Sequence, residues 1–335
     1  MGGVRRASIG LAISVSALLA GNGIATGSPE TEPGPPLEQP EAELDKTLHC
    51  DDAIDSAGKT PVLFVPGTTA EGPENFSWNY MAVLRNEGHP VCWVDYPYPT
   101  RGWRDMQISS ENVVHAIRVM YERSGKKVST IGHSQGGLHP VWAARFWPDI
   151  KDKLDDAISL GSPFQGSVMA TAYCEGLGAF QSGCQESFWQ FTKGSNWTRA
   201  LNAEHVPAGP SYSSLYTRFD EFAAPGKEAS ALAGSAHVAV QDVCRGRAVE
   251  HFSLVVDAAA YALVRDALKH EGPADPGRVD NSVCAEPFMP IALPELAGNL
   301  PKLLQMPVWA WLNSPPWTWR NEEPALRHYA RATIG

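Results

Sequence analysis

Short runs of consecutive apolar residues alternate along this chain with longer segments in which apolar side chains recur at every third or fourth position. Residues 61–65 (PVLFV) form the first run, closed by Pro66-Gly67, and predict a strand buried on both faces. Residues 91–94 (VCWV) predict a second strand, followed by the turn-rich Tyr96-Pro97-Tyr98-Pro99. Between them, residues 76–85 predict a helix with Gly88 near its end. The clearest helical pattern covers residues 106–124, where Val113, Ile117, Met120 and Tyr121 share one face and Gly125 supplies a stop. Residues 128–131 then predict a strand, 138–147 a helix, and 157–160 a strand ending at Gly161. Residues 215–219 predict a later strand, and 254–268 a long apolar-rich helix.

Strands alternating with helices predict an α/β architecture, a mainly parallel central sheet with helices on both faces. No internal repeat interrupts it. Residues 168–202 break the alternation with many small and aromatic residues and predict a small cap or lid. The tail, residues 286–335, is rich in Pro and Trp and follows no clean period. One domain is therefore expected over residues 48–335.

Two segments are expected ahead of it. Arg5 and Arg6 precede a short apolar stretch at residues 9–20, and Gly23-Ile24-Ala25 follows as a small-residue cleavage site, so residues 1–25 read as a signal peptide. The stretch is short for a bilayer, which needs about 20 apolar residues. Residues 26–47 are dominated by Pro, Glu, Ser and Gly and read as a flexible leader with no core of its own. Export is the expectation, with a secreted, extracellular product.

Composition narrows the partners. The chain has 335 residues, is 43% hydrophobic and carries a formal charge of −10, which is ample for one large core and disfavours nucleic acid and anionic membranes. Its six cysteines, Cys50, Cys92, Cys174, Cys184, Cys244 and Cys284, are an even count in an exported chain and point to disulfides. Many pairings are possible, with sequential pairing the simplest. Zinc-type C-x-x-C spacing is absent, so neither metal nor cofactor is expected.

The chemistry enters with Gly132-His133-Ser134-Gln135-Gly136, a G-x-S-x-G motif that follows a predicted strand and precedes a predicted helix. That context is the nucleophile elbow of the α/β-hydrolase fold, where small residues permit a sharp turn and the serine projects at a helix N-terminus. Pro140 falls about one turn into the following helix and strains this reading. A serine nucleophile needs a base, and its oxyanion needs donors. Gln135 supplies one backbone N–H, and the loop Pro66-Gly67-Thr68-Thr69 suits the other, with Thr68 offering an N–H and a hydroxyl. The fold orders its triad Ser, acid, His. Of His205, His237, His251, His270 and His328, the loop position of His251 ahead of a helix is favoured, with His237 second. For the acid, Asp220 follows directly on the strand predicted at 215–219; Glu221, Asp242 and Asp257 are alternatives.

These residues together resemble the family of Candida antarctica lipase B. The resemblance is carried by VLFVPGTTAEG at residues 62–72, by Ser134-Gln135-Gly136-Gly137-Leu138, by Asp220-Glu221 and by His251, and it runs from about Cys50 to Cys284. It implies Ser134, Asp220 and His251 as the triad and Thr68 and Gln135 as the oxyanion hole. It also implies Cys50–Cys92 and Cys244–Cys284 disulfides, each worth roughly 4 kcal/mol in the chain-entropy model. Cys174 and Cys184 have no counterpart and are expected to staple the lid region locally. His133 stands where the family carries a tryptophan on the alcohol side of the pocket, so alcohol preference does not transfer. The tail carries Trp309, Trp311, Trp317 and Trp319 in place of the family's last cysteine pair.

The implied function is a secreted, monomeric serine ester hydrolase, first a lipase cleaving acylglycerols or related esters through an acyl-enzyme. A short-chain or polyester-active carboxylesterase is second, and a non-catalytic binding protein of the same fold is third. Phe180, Phe188, Trp189 and Phe191 are expected either in an acyl channel and lipid-facing rim or in ordinary core; the tail tryptophans, either in an interfacial patch in transient contact with lipid or over the sheet. Asn75-Phe76-Ser77 and Asn196-Trp197-Thr198 read as glycosylation sequons.

Overall fold

The runs at 62–65 and 91–94 become inner strands of a sheet because apolar side chains point to both faces, and the next two strands bury polar side chains as well, Ser129, Thr130, Asp156 and Ser159 among them. In the computed structural model, which describes residues 1–3, 32–97, 99–177 and 183–334, these strands are β2 Val62–Val65, β3 Val91–Val94, β4 Val128–His133 and β5 Leu154–Leu160, preceded by β1 Leu48–Cys50. After the short β6 Cys184–Gln185 come β7 Ser211–Tyr216 and β8 Ala236–Ala239, and β9 Trp319–Arg320 lies in the tail. Most of the expected signal peptide, the start of the leader, Tyr98 and Phe180 lie outside the described residues.

The main sheet runs β1-β3-β2-β4-β5-β7-β8, parallel throughout except for the antiparallel edge strand β1. Alternation along β2 divides the core. Leu63 and Val65 join Val113, Ile117, Trp142 and Trp197 on one face, and Val62 and Phe64 join Phe76, Leu254 and Leu263 on the other. Trp142 stacks on Trp197 with ring centroids 4.7 Å apart. Three disulfides link Cys50 to Cys92, Cys174 to Cys184 and Cys244 to Cys284; the first joins directly opposed residues of β1 and β3.

The helix Met106–Ser124 keeps its predicted bounds. Asp105 caps it by accepting from the Gln107 N–H, and Gly125 ends it at φ 64°. Elsewhere local chemistry shifts the predicted elements. The helix expected at 76–85 splits into Gly72–Phe76 and Tyr80–Asn86, because Asn79 leaves helical geometry and caps the second piece. The helix expected at 254–268 divides into a 3-10 turn, Phe252–Val255, and Ala258–Lys269, whose start Asp257 caps through the Ala260 N–H. Pro140 proves harmless. A 3-10 turn, Ser134–Gly137, delays the α-helix to Leu138–Phe146, so Pro140 lies in its first turn, where its missing N–H would have no partner.

Two larger differences concern the ends. The expected flexible leader is docked over its described part: Trp147 Nε1 donates to Pro35 O, the Glu38 and Gln39 N–H groups donate to Glu111, and Leu44 is buried in the helix Glu41–Asp45. Its anchors are mostly backbone polar groups, which composition does not reveal. The tail expected without a period contains a 20-residue helix, Leu293–Leu312, whose Pro294, Pro301 and Pro307 blur the pattern. Beyond it, Tyr329 packs on Trp142, Phe146 and Trp147, so the chain end covers the core.

One buried carboxylate opposes folding at neutral pH. Burial pushes Asp156, hydrogen-bonded to the Ser129 hydroxyl, up from 3.8 to about 7. The native state thus binds a proton that the unfolded chain has released, and stability falls as pH rises between those values. Asp156→Asn is expected to stabilise the protein by about 1–3 kcal/mol at pH 8, with the gain shrinking toward pH 4. Thermal melts of both proteins across that range check it.

Candidate active site

Ser134 sits at the end of β4 with φ 53°, a left-handed conformation that a serine adopts only when its surroundings impose it. The surroundings are backbone. A Cβ on Gly132 would lie 2.4 Å from the Gly136 carbonyl carbon, and one on Gly136 would lie 2.0 Å from Val65 O. Gly137 is equally confined, 2.2 Å from Ser162 Oγ. Ser162 also donates its hydroxyl to the Ser134 carbonyl at 2.6 Å, tying the turn after β5 to the elbow.

His251 and Asp220 meet 31 residues apart in sequence, with His251 Nδ1 2.9 Å from Asp220 Oδ2. The other carboxylate oxygen accepts the Phe222 and Ala223 N–H groups, at 3.0 and 2.6 Å, so the carboxylate is oriented from its own loop. Thr217 joins the two loops: its hydroxyl donates to Val249 O at 2.7 Å and accepts from Gln241 Nε2 at 2.9 Å. The His251 N–H donates to Glu221 Oε2 at 3.1 Å. Both catalytic candidates are fully enclosed. Burial alone would lower the His251 pKa, but the charge and hydrogen bond of Asp220, aided by Glu221 and Glu250, outweigh it and hold the imidazole above its usual value.

The position of Asp220 differs in detail from the sequence reading. The strand expected at 215–219 is β7, Ser211–Tyr216, and Asp220 follows it across a turn. Its first half is rich in serine, yet Ser213 and Ser214 are buried because each is satisfied: Ser213 Oγ accepts from the Ala274 N–H and Ser214 donates to Ser230 O. The remaining candidates lie elsewhere. His237 is in β8, stacked on Tyr216 and bonded to Ser230. His270 pairs with Asp266, and His205 and His328 are exposed. Asp242 pairs with Arg218, while Asp257 caps a helix and pairs with Arg247.

The loop after β2 faces the elbow. A Cβ on Gly67 would stand 3.3 Å from Ser134 Cβ. The Gly67 N–H donates to Asn75 Oδ1 at 2.9 Å and the Thr69 N–H to Arg101 O at 2.7 Å. The Thr68 N–H between them has no acceptor among the described residues. The Thr68 hydroxyl is engaged, donating to Gln135 Oε1 at 2.7 Å. Thus the backbone N–H is the free donor here, where the sequence offered both.

Asn75 and His133 complete this side. His133 lies 5.0 Å ring to ring from His251, with Nδ1 3.3 Å from Asn75 Oδ1 and Nε2 3.2 Å from His251 O. Burial, reinforced by the charge of His251, lowers its pKa to about 3, so it is neutral. Asn75 is fully buried, so the first sequon cannot carry a glycan in the folded chain; Asn196 is exposed. Sequence reading treated Asn75 only as a sequon and missed Ser162, because their roles rest on partners outside any motif they belong to, the Gly67 N–H and the Ser134 carbonyl.

Thr68, Ser134 and His251 open into one cavity of about 730 Å³. Its walls are mostly apolar: Trp103, Phe188, Phe191 and Phe222, with Leu303 and Met306 from the tail helix. Phe188 and Phe191 therefore line the cavity, whereas Trp189 bonds outward to Arg320 O. Among the described residues no group of three or more His, Cys, Asp or Glu side chains is arranged to hold a metal ion.

Comparison with known proteins gives this geometry a relative. No family model matches the chain. Lipase B of Pseudozyma antarctica is 32% identical over 243 residues, 70% of this chain and 69% of that protein. The crystal structure of Aspergillus fumigatus lipase B matches with a TM-score of 0.79 and 29% identity, over 89% of this chain and 74% of that one. The propeptide form of Bacillus licheniformis lipase BlEst2 shares the fold, with a TM-score of 0.50 and 18% identity over 72% of this chain and 54% of that one. A non-catalytic binding protein is thereby set aside: the chain belongs to the lipase B family of α/β-hydrolases and is a carboxylic-ester hydrolase of the lipase kind.

Proposed function

We propose that the chain is a secreted, monomeric lipase that cleaves acylglycerols or related esters through an acyl-enzyme, with Ser134 as nucleophile, His251 as general base and Asp220 as its partner. The observation that carries this reading is the 2.9 Å contact between the His251 and Asp220 side chains, with His251 lining the same cavity as a serine held at φ 53°. Ser134 Oγ bonds to the ester carbonyl carbon while His251 takes its proton. Asp220 fixes the tautomer that leaves the far imidazole nitrogen free to do so and stabilises the cation that results. The negative carbonyl oxygen is held by the Thr68 and Gln135 N–H groups. Collapse breaks the ester C–O bond, and His251 returns the proton to the departing alcohol. Water, deprotonated by the same imidazole, then attacks the acyl-serine; the acyl C–Oγ bond breaks, His251 returns the proton to Ser134 Oγ, and the acid is released.

Supporting a lipid substrate is the apolar cavity, walled by aromatic and aliphatic side chains, with exposed Leu304 and Trp317 nearby in sequence to its tail-helix residues. His133 and Asn75 make the side next to His251 more polar, which favours shorter or more polar alcohols and keeps a short-chain or polyester-active esterase as second reading. Secretion is supported by the N-terminal pattern and the three disulfides, and among the described residues no helix is long and apolar enough to cross a membrane.

Ser134→Ala is expected to abolish turnover of p-nitrophenyl esters, and Asp220→Asn to lower kcat by roughly 10⁴-fold; undiminished hydrolysis by the serine variant rejects the nucleophile. Because His251 acts when neutral and its pKa is raised, kcat/KM should fall as pH drops through a value above 6.5. In Asp220→Asn, the residual activity should inflect at lower pH, since the carboxylate that raised the imidazole is gone. An ester chain-length series, soluble against emulsified, separates the substrate classes. A rate jump above the solubility limit marks a lipase, and smooth saturation on short chains marks an esterase.

A further inference from the structure

Thr69 has φ 81°, a conformation rare for any side chain and an outlier for a β-branched one. It is the residue after Thr68, so whatever holds it there also aims the oxyanion loop. The holder is Arg101. The Thr69 N–H donates to Arg101 O at 2.7 Å, and Arg101 Nη1 returns a bond to Thr69 O at 3.0 Å, so both backbone polar groups of Thr69 are spoken for by one residue.

Arg101 is itself fixed from behind. Its guanidinium reaches Glu74 at 2.9 and 3.3 Å and Glu71 at 3.4 Å, and its side chain is 15% exposed. Glu74 also accepts the Glu71 N–H at 3.0 Å, capping the helix Gly72–Phe76 that carries Asn75. Asn75 in turn pins the Gly67 N–H. The Thr68 amide therefore lies between two residues held by one connected network. The same turn touches the other half of the hole. Gly102, at φ 79°, passes so close to Gln135 that a Cβ would lie 2.7 Å from its Oε1. Arg101 does not line the cavity, so its influence on the reaction passes through this loop.

We propose that Arg101 is a positioning residue of the oxyanion hole, holding Thr69 in its left-handed conformation so that the Thr68 N–H faces the reacting carbonyl. The inference rests on Thr68 being an oxyanion donor. Without the guanidinium, Thr69 keeps its N–H bond to the carbonyl of residue 101 but loses the bond to its own carbonyl, so it relaxes toward negative φ and displaces Thr68 together with its N–H. A shift of about 1 Å in a donor costs on the order of 100-fold in rate. Glycine at residue 69 adopts the same φ without steric cost, so it removes the need for the clamp.

The test is a double-mutant cycle on soluble p-nitrophenyl butyrate, with melting temperatures recorded for every protein. Arg101→Met should lower kcat by roughly ten- to 100-fold with KM within about twofold. Arg101→Lys, which keeps one donor for Thr69 O, should fall between it and wild type, and it supplies the readout if the methionine variant does not fold. Adding Thr69→Gly to Arg101→Met should restore kcat to within about threefold of Thr69→Gly alone. Unchanged kcat in both Arg101 variants, or a double variant whose losses simply multiply, overturns the inference. Thr68→Gly should cost rate as well, through a looser donor; if it does not, the oxyanion assignment fails and not the clamp alone. Loss of wild-type turnover on Ser134→Ala, measured alongside, keeps the wider functional reading separate.

Discussion

The constraint on which this molecule turns is the shortage of space around Ser134. Three glycines surround it because β4, the loop after β2 and the turn after β5 all crowd the same few ångströms. A methyl group at 132, 136 or 137 would collide with backbone or with Ser162 and Ser159. Crowding forces the serine to φ 53° and delays the helix by one 3-10 turn. The delay has two consequences. It leaves first-turn N–H groups without intrahelical partners at the serine's end of the helix, and it makes room for Pro140.

Around that fixed point the site is assembled from loops that have little regular structure of their own. Each is held by side chains that satisfy buried backbone groups. Thr217 bridges the Asp220 and His251 loops, Asn75 takes the Gly67 N–H, and Glu221 takes the His251 N–H. Such bonds are modest singly, but each leaves a costly orphan if one partner is lost, so the network specifies one arrangement. Its electrostatics follow from enclosure. The same desolvation that keeps His133 neutral makes the Asp220 charge effective on His251, so neighbouring imidazoles 5.0 Å apart move in opposite directions.

The tail ties this polar centre to its apolar surroundings. Leu303 and Met306 of the helix Leu293–Leu312 wall the cavity, while Tyr329 packs on the aromatic cluster across the sheet. One C-terminal segment thus finishes both the cavity at Ser134 and the core. A sheet whose two faces carry separate apolar clusters needs cover on both, and here the chain end supplies part of each.

The sequence by itself determined what depends on near neighbours. Unbroken apolar runs marked β3 to the residue and β2 to within one, helical spacing with Asp105 and Gly125 marked the helix Met106–Ser124, and the glycines about Ser134 marked the elbow. The family resemblance then supplied Asp220, which the residues alone had left among alternatives. Tertiary structure alone decided the rest. The serines of β7 are buried only because Ala274 and Ser230 from distant segments satisfy them, so no local hydrophobic pattern could show where that strand begins. The Thr69–Arg101 clamp, the role of Asn75 and the docking of the leader likewise join residues far apart in the chain. Local pattern records the preferences of a segment, whereas a buried polar group is tolerated only when folding delivers its partner.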